Sequence, residues 1–315
     1  MKLVIQIPCY NEEKSLPVAL EALPKSINGI DEIEVLIIDD GCKDKTVEVA
    51  KSMGVKHFVY MPHNCGLARA FVCGLHKGLE MDADIIVNTD ADNQYCADDI
   101  EKLVEPILKG EADIVIGSRP VSSIKHFSPL KKVLQKLGSG IMRLISSTNV
   151  EDAPSGFRAF SRSAAIQLNV FDNYTYTLET IIQARAKGLI VTSVPVRVNP
   201  ELRKSRLMTN MFDYIRRSVF TMIGMFIIYR PFRFFAILAG MFLFVGAILG
   251  LRFLYYYMFS SGAGHIQSLI LSAILMITGV QIMVIAVLSE LFSINRKILE
   301  DIQRRVKLQE LNKKV

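Results

Sequence analysis

Two stretches of this 315-residue chain carry no charge: 18 residues from Phe234 to Leu251 and 24 from Ile266 to Ser289. About 20 apolar residues span the hydrocarbon core of a bilayer. The second stretch meets that length outright. The first meets it by running on to Met258, with Arg252 snorkelling toward an interface where Tyr255, Tyr256 and Tyr257 form an aromatic belt. Spans are therefore expected at about 234–258 and 267–289, a hairpin within 232–292. A pair of buried core helices is the competing reading. It is the weaker one, because two such segments near the end of the chain lack a soluble layer to cover them.

The flanks orient the hairpin. Arg230 and Arg233 precede it, while Arg296, Lys297, Arg304, Arg305 and Lys307 follow it. The connection from Ser260 to Gln267 has no Lys or Arg. Basic residues stay on the cytoplasmic side, so both ends and the main domain are expected there, in a multi-pass protein of the cell inner (plasma) membrane. Leu3 to Pro8 reads as a strand rather than a signal-peptide core. The five cysteines, Cys9, Cys42, Cys65, Cys73 and Cys96, form no C-x-x-C pair and fit reduced cytosolic thiols. The net charge of +6 gathers beside the spans, where anionic lipid rather than nucleic acid is the expected partner.

Ahead of the spans the pattern alternates. Apolar runs at Leu3–Pro8, Ile33–Ile38, His57–Met61, Ile85–Asn88 and Ala112–Gly117 predict strands. Helical patterns fall between them, at about Ser15–Ser26, Thr46–Met53 (closed by Gly54), Gly66–Glu80 and Asp98–Lys109. This order predicts an α/β fold with a mostly parallel sheet covered on both faces by helices. No internal repeat or low-complexity tract is present.

Each predicted strand ends in polar residues: Tyr10, Asn11 and Glu12; Asp39, Asp40 and Gly41; Asn64 and Gly66; Asp90 and Asp92; Ser118 and Arg119. A bare D-x-D is most often a solvated turn. Five polar strand ends in a row point instead to a crevice, since open α/β sheets bind ligands at the carboxyl ends of their strands. In an extended chain, Asp90 and Asp92 point the same way, and a divalent cation bridging a phosphate relieves their repulsion. Asp39 can accept a hydrogen bond from a base or ribose, and Asn64 and Gly66 at a helix start offer N–H groups to phosphate. The set suits a nucleoside diphosphate sugar. With neither G-x-G-x-x-G after the first strand nor G-x-x-x-x-G-K-[ST] anywhere, dinucleotide and P-loop readings are weak.

Residues 1 to about 215 resemble the inverting family 2 glycosyltransferases of GT-A fold. The resemblance rests on Ile7-Pro8-Cys9-Tyr10-Asn11-Glu12, Ile38-Asp39-Asp40-Gly41-Cys42-Lys43-Asp44-Lys45-Thr46, Asn64-Cys65-Gly66, Asp90-Ala91-Asp92 with Gln94, and Gly117-Ser118-Arg119. Pro154-Ser155-Gly156-Phe157-Arg158 and Arg203-Lys204-Ser205-Arg206 are similar to acceptor-side motifs of the dolichol-phosphate mannose synthase branch, and the two spans to those of bacterial polyisoprenyl-phosphate glycosyltransferases. The resemblance implies Pro8, Tyr10, Glu12 and Asp39 at the nucleotide, Asn64 beside it, and Asp90 and Asp92 at the diphosphate and a Mg²⁺ or Mn²⁺ ion, with Gln94 near. It implies Arg119 with Lys131 or Lys132 at an acceptor phosphate, Asp152 and Arg158 near the transfer site, and Arg203, Ser205 and Arg206 over the donor diphosphate. Two departures concern the sugar: Tyr95-Cys96 stands where mannose synthases carry a proline pair, and Gly41-Cys42 where Gly-Ser is commoner.

The reaction so implied is metal-dependent hexosyl transfer from a UDP- or GDP-sugar to undecaprenyl or dolichyl phosphate. The anomeric carbon gains oxocarbenium character as the diphosphate departs. A phosphate monoester is already ionised near neutral pH, so Asp152 is expected to orient more than to act as a base. An acceptor such as a polysaccharide or glycolipid is the alternative, though processive synthases carry a Q-x-x-R-W motif and this chain has no Trp. A non-catalytic membrane scaffold is the third reading, disfavoured by the intact Asp90/Asp92 pair. The domain layout expected is a transferase domain over 1–208, an amphipathic interfacial helix over 209–231, the hairpin, and a charged amphipathic tail over 293–315. The tail carries Ile294, Ile298, Ile302 and Val306 on one stripe, which suits contact with lipid or a homo-oligomer. Glu179 reads either as a buried partner of an arginine or as an acceptor-side carboxylate.

Overall fold

The computed structural model describes residues 1–120, 150, 152–170, 176–200, 220, 223–224, 226–259 and 266–312. Two compact units divide it, Met1–Met222 with Arg304–Val315, and Ile223–Gln303.

The first unit is built on seven strands among the described residues: β1 (Lys2–Cys9), β2 (Glu32–Asp39), β3 (His57–Tyr60), β4 (Ile85–Asn88), β5 (Ile114–Ser118), β6 (Arg158–Ser161) and β7 (Val191–Pro195). They form one sheet in the order β3-β2-β1-β4-β6-β5-β7. The pairs β1·β2, β1·β4, β2·β3 and β5·β7 are parallel. Only β6 runs antiparallel, between β4 and β5. Strand order reverses at β1: β2 and β3 go to one side, β4 to the other. That is the switch point at which an open α/β sheet leaves a crevice beyond its carboxyl ends. Leu3, Ile5, Ile7, Ile37, Ile85 and Val87 are fully buried, as sheet positions covered on both faces must be.

Helices α1 (Leu16–Glu21), α2 (Thr46–Ser52), α3 (Leu67–Glu80) and α4 (Ile100–Leu108) alternate with the first five strands. In α4 the buried side chains are Ile100, Leu103, Val104 and Ile107, the i, i+3, i+4, i+7 stripe of a helix lying on a sheet. Two expected boundaries shift. Helix α1 stops at Glu21 rather than Ser26, because Pro24 lies just ahead. Helix α4 starts at Ile100, since Ala97–Asp99 form a 3₁₀ turn first.

Strands β6 and β7 and helices α5 (Arg162–Gln167) and α6 (Tyr176–Ala186) complete the unit and were not expected. β6 is four residues long and opens on a buried arginine, which hides its apolar period. Helix α6 buries Thr177, Glu179, Thr180 and Gln183 as well as its apolar residues, so no polar face marks it out. Glu179 accepts from Gln183 Nε2 at 3.1 Å.

In the second unit, α7 (Pro231–Phe259) and the first part of α8 (Ile266–Asn312) are long and apolar enough to cross a membrane, and only 11% and 17% of their most apolar windows are buried by protein. Apolar side chains left outward on this scale suit lipid, not a soluble core. Gly246 and Gly279 let the helices approach: a Cβ at Gly246 would stand 2.9 Å from Met276 Cγ and one at Gly279 2.7 Å from Leu243 Cγ. The tail is not a separate helix. α8 runs unbroken to Asn312, with no Gly or Pro after Gly279 to stop it. Within the first unit, Lys307 Nζ donates to Asn169 Oδ1 at 3.0 Å. Most of the expected interfacial helix, including 209–219, lies outside the described residues.

Candidate active site

The loops beyond β1, β2 and β4 converge at the switch point. Cys9 and Asp39 are register partners, so Tyr10 and Asp40 leave neighbouring strands side by side. Asp39 Oδ1 accepts from Cys42 N–H, three residues on, at 2.7 Å, which closes the loop after β2. Asn11 sits at φ 57°, and its Oδ1 accepts from Lys43 N–H at 2.7 Å. Buried Asp40 accepts from Cys65 N–H at 2.7 Å and Gly66 N–H at 3.0 Å, which ties this loop to the start of α3. Burial holds the Asp40 carboxyl above its ordinary value despite those two donors. Gly41 has no alternative: φ is +73°, and a Cβ would stand 2.6 Å from the His63 carbonyl carbon.

Pro8 is half-buried, Tyr10 is 36% exposed and Asn64 is exposed. Glu12 differs. It is buried, with its N–H on Thr46 Oγ1 at 2.7 Å and its carboxylate accepting from the Ser15 hydroxyl at 2.5 Å. That geometry closes the turn ahead of α1.

β4 stops at Asn88. Asp90 and Asp92 therefore stand in the turn beyond the strand, and the extended-chain argument for their shared direction does not apply. Asp92 Oδ1 accepts from Gln94 N–H at 3.1 Å, and Asn93 takes φ 55°. Both carboxylates are half-buried.

A second loop, Asp152–Phe157, lies against this turn. Gly156 is held at both ends of its backbone. Its N–H donates to Tyr95 Oη at 3.3 Å, and its carbonyl accepts from Asn88 Nδ2 at 2.9 Å and Tyr176 Oη at 3.1 Å. A Cβ on Gly156 would be 3.4 Å from both Asp90 carboxylate oxygens, so Asp90 lies directly over that peptide. Asn88 is fixed in turn by Gln6 Nε2 at 2.8 Å.

Arg119, leaving β5, pairs with Asp152 through Nε–Oδ2 at 2.7 Å and Nη2–Oδ1 at 3.1 Å, a bidentate fork. Burial alone would lower the Arg119 pKa, but Tyr95, Asp152 and Asp90 around it hold it raised. Arg158 is elsewhere. It is fully buried, with Nε on Ser155 O (2.8 Å), Nη1 on Thr177 O (2.8 Å) and Thr180 Oγ1 (2.7 Å), and Nη2 on Ala153 O (2.6 Å). It supports the 152–157 loop from beneath instead of facing a substrate. Burial brings its pKa down to about 10.

The chain after β7 is sewn to the same turn. Asn199 N–H donates to Gln94 O at 2.9 Å, and Asn199 Nδ2 donates to Asn93 O at 3.1 Å and Tyr95 O at 3.2 Å. Arg197 forks onto buried Asp99, Nη2–Oδ1 at 2.9 Å. Sequence reasoning missed Asn88, Tyr95, Gly156, Tyr176 and Asn199 as a set. The signal available was Asn88 as the one polar residue of a buried strand. Lys131, Lys132, Arg203, Ser205 and Arg206 lie outside the described residues. All five cysteines are free thiols, and burial pushes Cys42 up to about 12.

The arrangement brings a carboxylate doublet, a buried cation–carboxylate fork and two phenols to one end of the sheet. Residues 4–168 match the model of glycosyl transferase family 2. The UDP-N-acetylglucosamine–dolichyl-phosphate N-acetylglucosaminyltransferase of Methanococcus voltae is 33% identical over 217 residues, 61% of this chain and 83% of that protein. The undecaprenyl-phosphate mannosyltransferase of Micrococcus luteus is 28% identical over 218 residues, 66% and 88% of the two chains. Among solved structures, glucosyl-3-phosphoglycerate synthase from Mycobacterium tuberculosis, in complex with Mn²⁺, UDP and glucosyl-3-phosphoglycerate, superposes with a TM-score of 0.56 over 72% of this chain and 78% of that one. At 18% identity that likeness speaks to the fold alone.

Proposed function

The chain belongs to glycosyl transferase family 2, and from that premise we propose that it moves a sugar from a UDP- or GDP-linked donor to a polyprenyl phosphate, with inversion, at the cytoplasmic face of a membrane holding α7 and α8. The observation that carries the reading is the contact of the Asp90 turn with Gly156. It sets the residues suited to a departing diphosphate against the loop whose Asp152 holds Arg119. The two relatives named above act on dolichyl and undecaprenyl phosphate by name, and the basic flanks of both spans favour the cytoplasmic side.

Asp39 and Tyr10, at adjacent strand ends, receive the nucleoside. The exposed Asn64 side chain, just ahead of α3, faces the phosphates, while the Cys65 and Gly66 N–H groups expected to do so are taken by Asp40. Asp90 and Asp92 supply hard carboxylate oxygens, the donor type that Mg²⁺ and Mn²⁺ prefer, so the residues fit such an ion. Asp90 and Asp92 would hold the ion through these oxygens; among the described residues no cluster of three His, Cys, Asp or Glu side chains stands ready for one. When bound, the ion neutralises charge growing on the leaving diphosphate. Arg119 holds the acceptor phosphate, and Asp152 fixes the Arg119 guanidinium. An acceptor phosphate oxygen bonds to the anomeric carbon from the face opposite the diphosphate. The bond from that carbon to the diphosphate breaks, and the nucleoside diphosphate leaves. No general base is needed, since the phosphate arrives ionised.

The test is calorimetric binding of a panel of nucleotides and nucleotide sugars, with and without Mn²⁺, to the full chain and to Asp92→Ala. Metal-dependent binding lost in the variant supports the reading. Absence of binding to the wild-type chain refutes it and favours a scaffold.

A further inference from the structure

Nothing in the reaction above uses Tyr95. It is 4% exposed, so it touches no substrate, yet it joins four segments of the site. It belongs to the turn of Asp90 and Asp92. Its hydroxyl accepts from Gly156 N–H at 3.3 Å and lies 3.5 Å from Ser155 Oγ. Its ring stacks on Phe157, centroids 4.8 Å apart and 19° between planes, while the Arg119 guanidinium carbon lies 5.9 Å from the ring centroid. Its carbonyl accepts from Asn199 at 3.2 Å, in the strand-like segment where Tyr95 bridges Val198.

We propose that Tyr95 is a positioning residue that couples the donor turn to the acceptor loop: its hydroxyl holds the Gly156 peptide under Asp90, and its ring holds Phe157 and the Arg119–Asp152 fork. The inference rests on the proposed transfer for the role of each loop. The physical argument is independent of it. A buried aromatic hydroxyl is retained where it has a partner, and a backbone N–H that loses its acceptor in a buried loop is free to relax.

Tyr95→Phe tests it, because the ring, its stacking and its volume are kept and only the hydroxyl goes. Two readouts are taken on the full chain in detergent. The first is hydrogen–deuterium exchange of the segment containing Gly156. The inference expects at least about tenfold faster exchange there, with the amides of β1 and β2 unchanged. The second is steady-state transfer. The inference expects kcat to fall by about tenfold, the scale of losing a residue that orients a catalytic group, with the donor KM changed less than twofold. A Tyr95→Leu variant, which loses ring and hydroxyl, falls further. Unchanged exchange at Gly156 in Tyr95→Phe overturns the inference whether or not transfer is detected. So does a kcat equal to wild type. If the wild-type chain transfers no sugar, the proposed reaction fails while the exchange experiment still decides the role of Tyr95.

Discussion

Arg119 grips Asp152 with both arms of its guanidinium, Nε on Oδ2 at 2.7 Å and Nη2 on Oδ1 at 3.1 Å, and the Arg119 backbone N–H adds a third contact to Oδ2 at 3.3 Å. Asp152 is 1% exposed and the Arg119 side chain 10%. A pair this enclosed is hard to break from one side. Arg119→Ala leaves a buried carboxylate without its cation and is expected to destabilise the first unit by about 3 kcal/mol. Asp152→Ala does the same to the guanidinium. The double variant is expected to be less damaging than the sum, with a coupling of at least about 1 kcal/mol. Urea unfolding of the four proteins measures the cycle.

Gly156→Ala places a methyl 3.0 Å from the Tyr176 hydroxyl and 3.4 Å from both Asp90 oxygens. The Tyr176 hydroxyl must give by a few tenths of an ångström, which costs about 1 kcal/mol of stability. That hydroxyl also holds the Gly156 carbonyl, so the peptide beneath Asp90 shifts with it, and under the proposed reaction the expected loss in kcat is larger, about tenfold. Thermal unfolding and initial rates on one preparation separate the two effects.

Gly41→Ala meets backbone, not a yielding side chain, at 2.6 Å, and it does so at φ +73°. Left-handed strain alone costs about 1–2 kcal/mol, and the clash adds to it. The loop that carries Asp40 to Cys65 and Gly66 must shift. Lower stability and a raised donor KM are expected together, read from urea midpoints and donor titrations.

Asp99 supplies a pH dependence. Burial would raise its pKa, but the Arg197 fork and Lys102 outweigh burial and hold it below the ordinary aspartate value. A depressed carboxyl stabilises the fold above its unfolded pKa, and that contribution fades as pH falls through the folded pKa. The anchor between Asp99 and Arg197 is therefore intact at neutral pH and weakens below about pH 4. Asp99→Asn is expected to be less stable than wild type at pH 7, with the difference narrowing toward pH 3 in equilibrium unfolding.

The first five strands were readable because each is an apolar run that stops at a polar cluster, and the chain order alone makes such runs parallel. The position of Asp90 and Asp92 just beyond β4 was readable for the same reason. β6 was not, because Arg158 opens it and the motif around it reads as a substrate-facing loop. Only tertiary packing reveals that Thr177, Thr180, Ala153 and Ser155 enclose that guanidinium. The structural contacts of Glu12 were hidden in the same way: nothing local to a carboxylate after β1 signals that the Ser15 hydroxyl lies on it and Thr46 on its backbone N–H. Gly156 and Tyr95 meet across 61 residues of chain, a separation over which no local period carries a signal. The unbroken course of α8 was obscured by a change of composition at Ser289, which alters what surrounds a helix without ending it.

The most direct test of the account is the chemical nature of the lipid product. The full chain in vesicles containing undecaprenyl phosphate is incubated with labelled UDP- and GDP-sugars and Mn²⁺, and the lipid extract is treated with mild acid. The account predicts label in a phosphate-linked lipid that mild acid releases, absent with EDTA and absent in Asp92→Ala. Label confined to neutral glycolipid or polymer, or a phosphate-linked product formed equally well by Asp92→Ala, would contradict it.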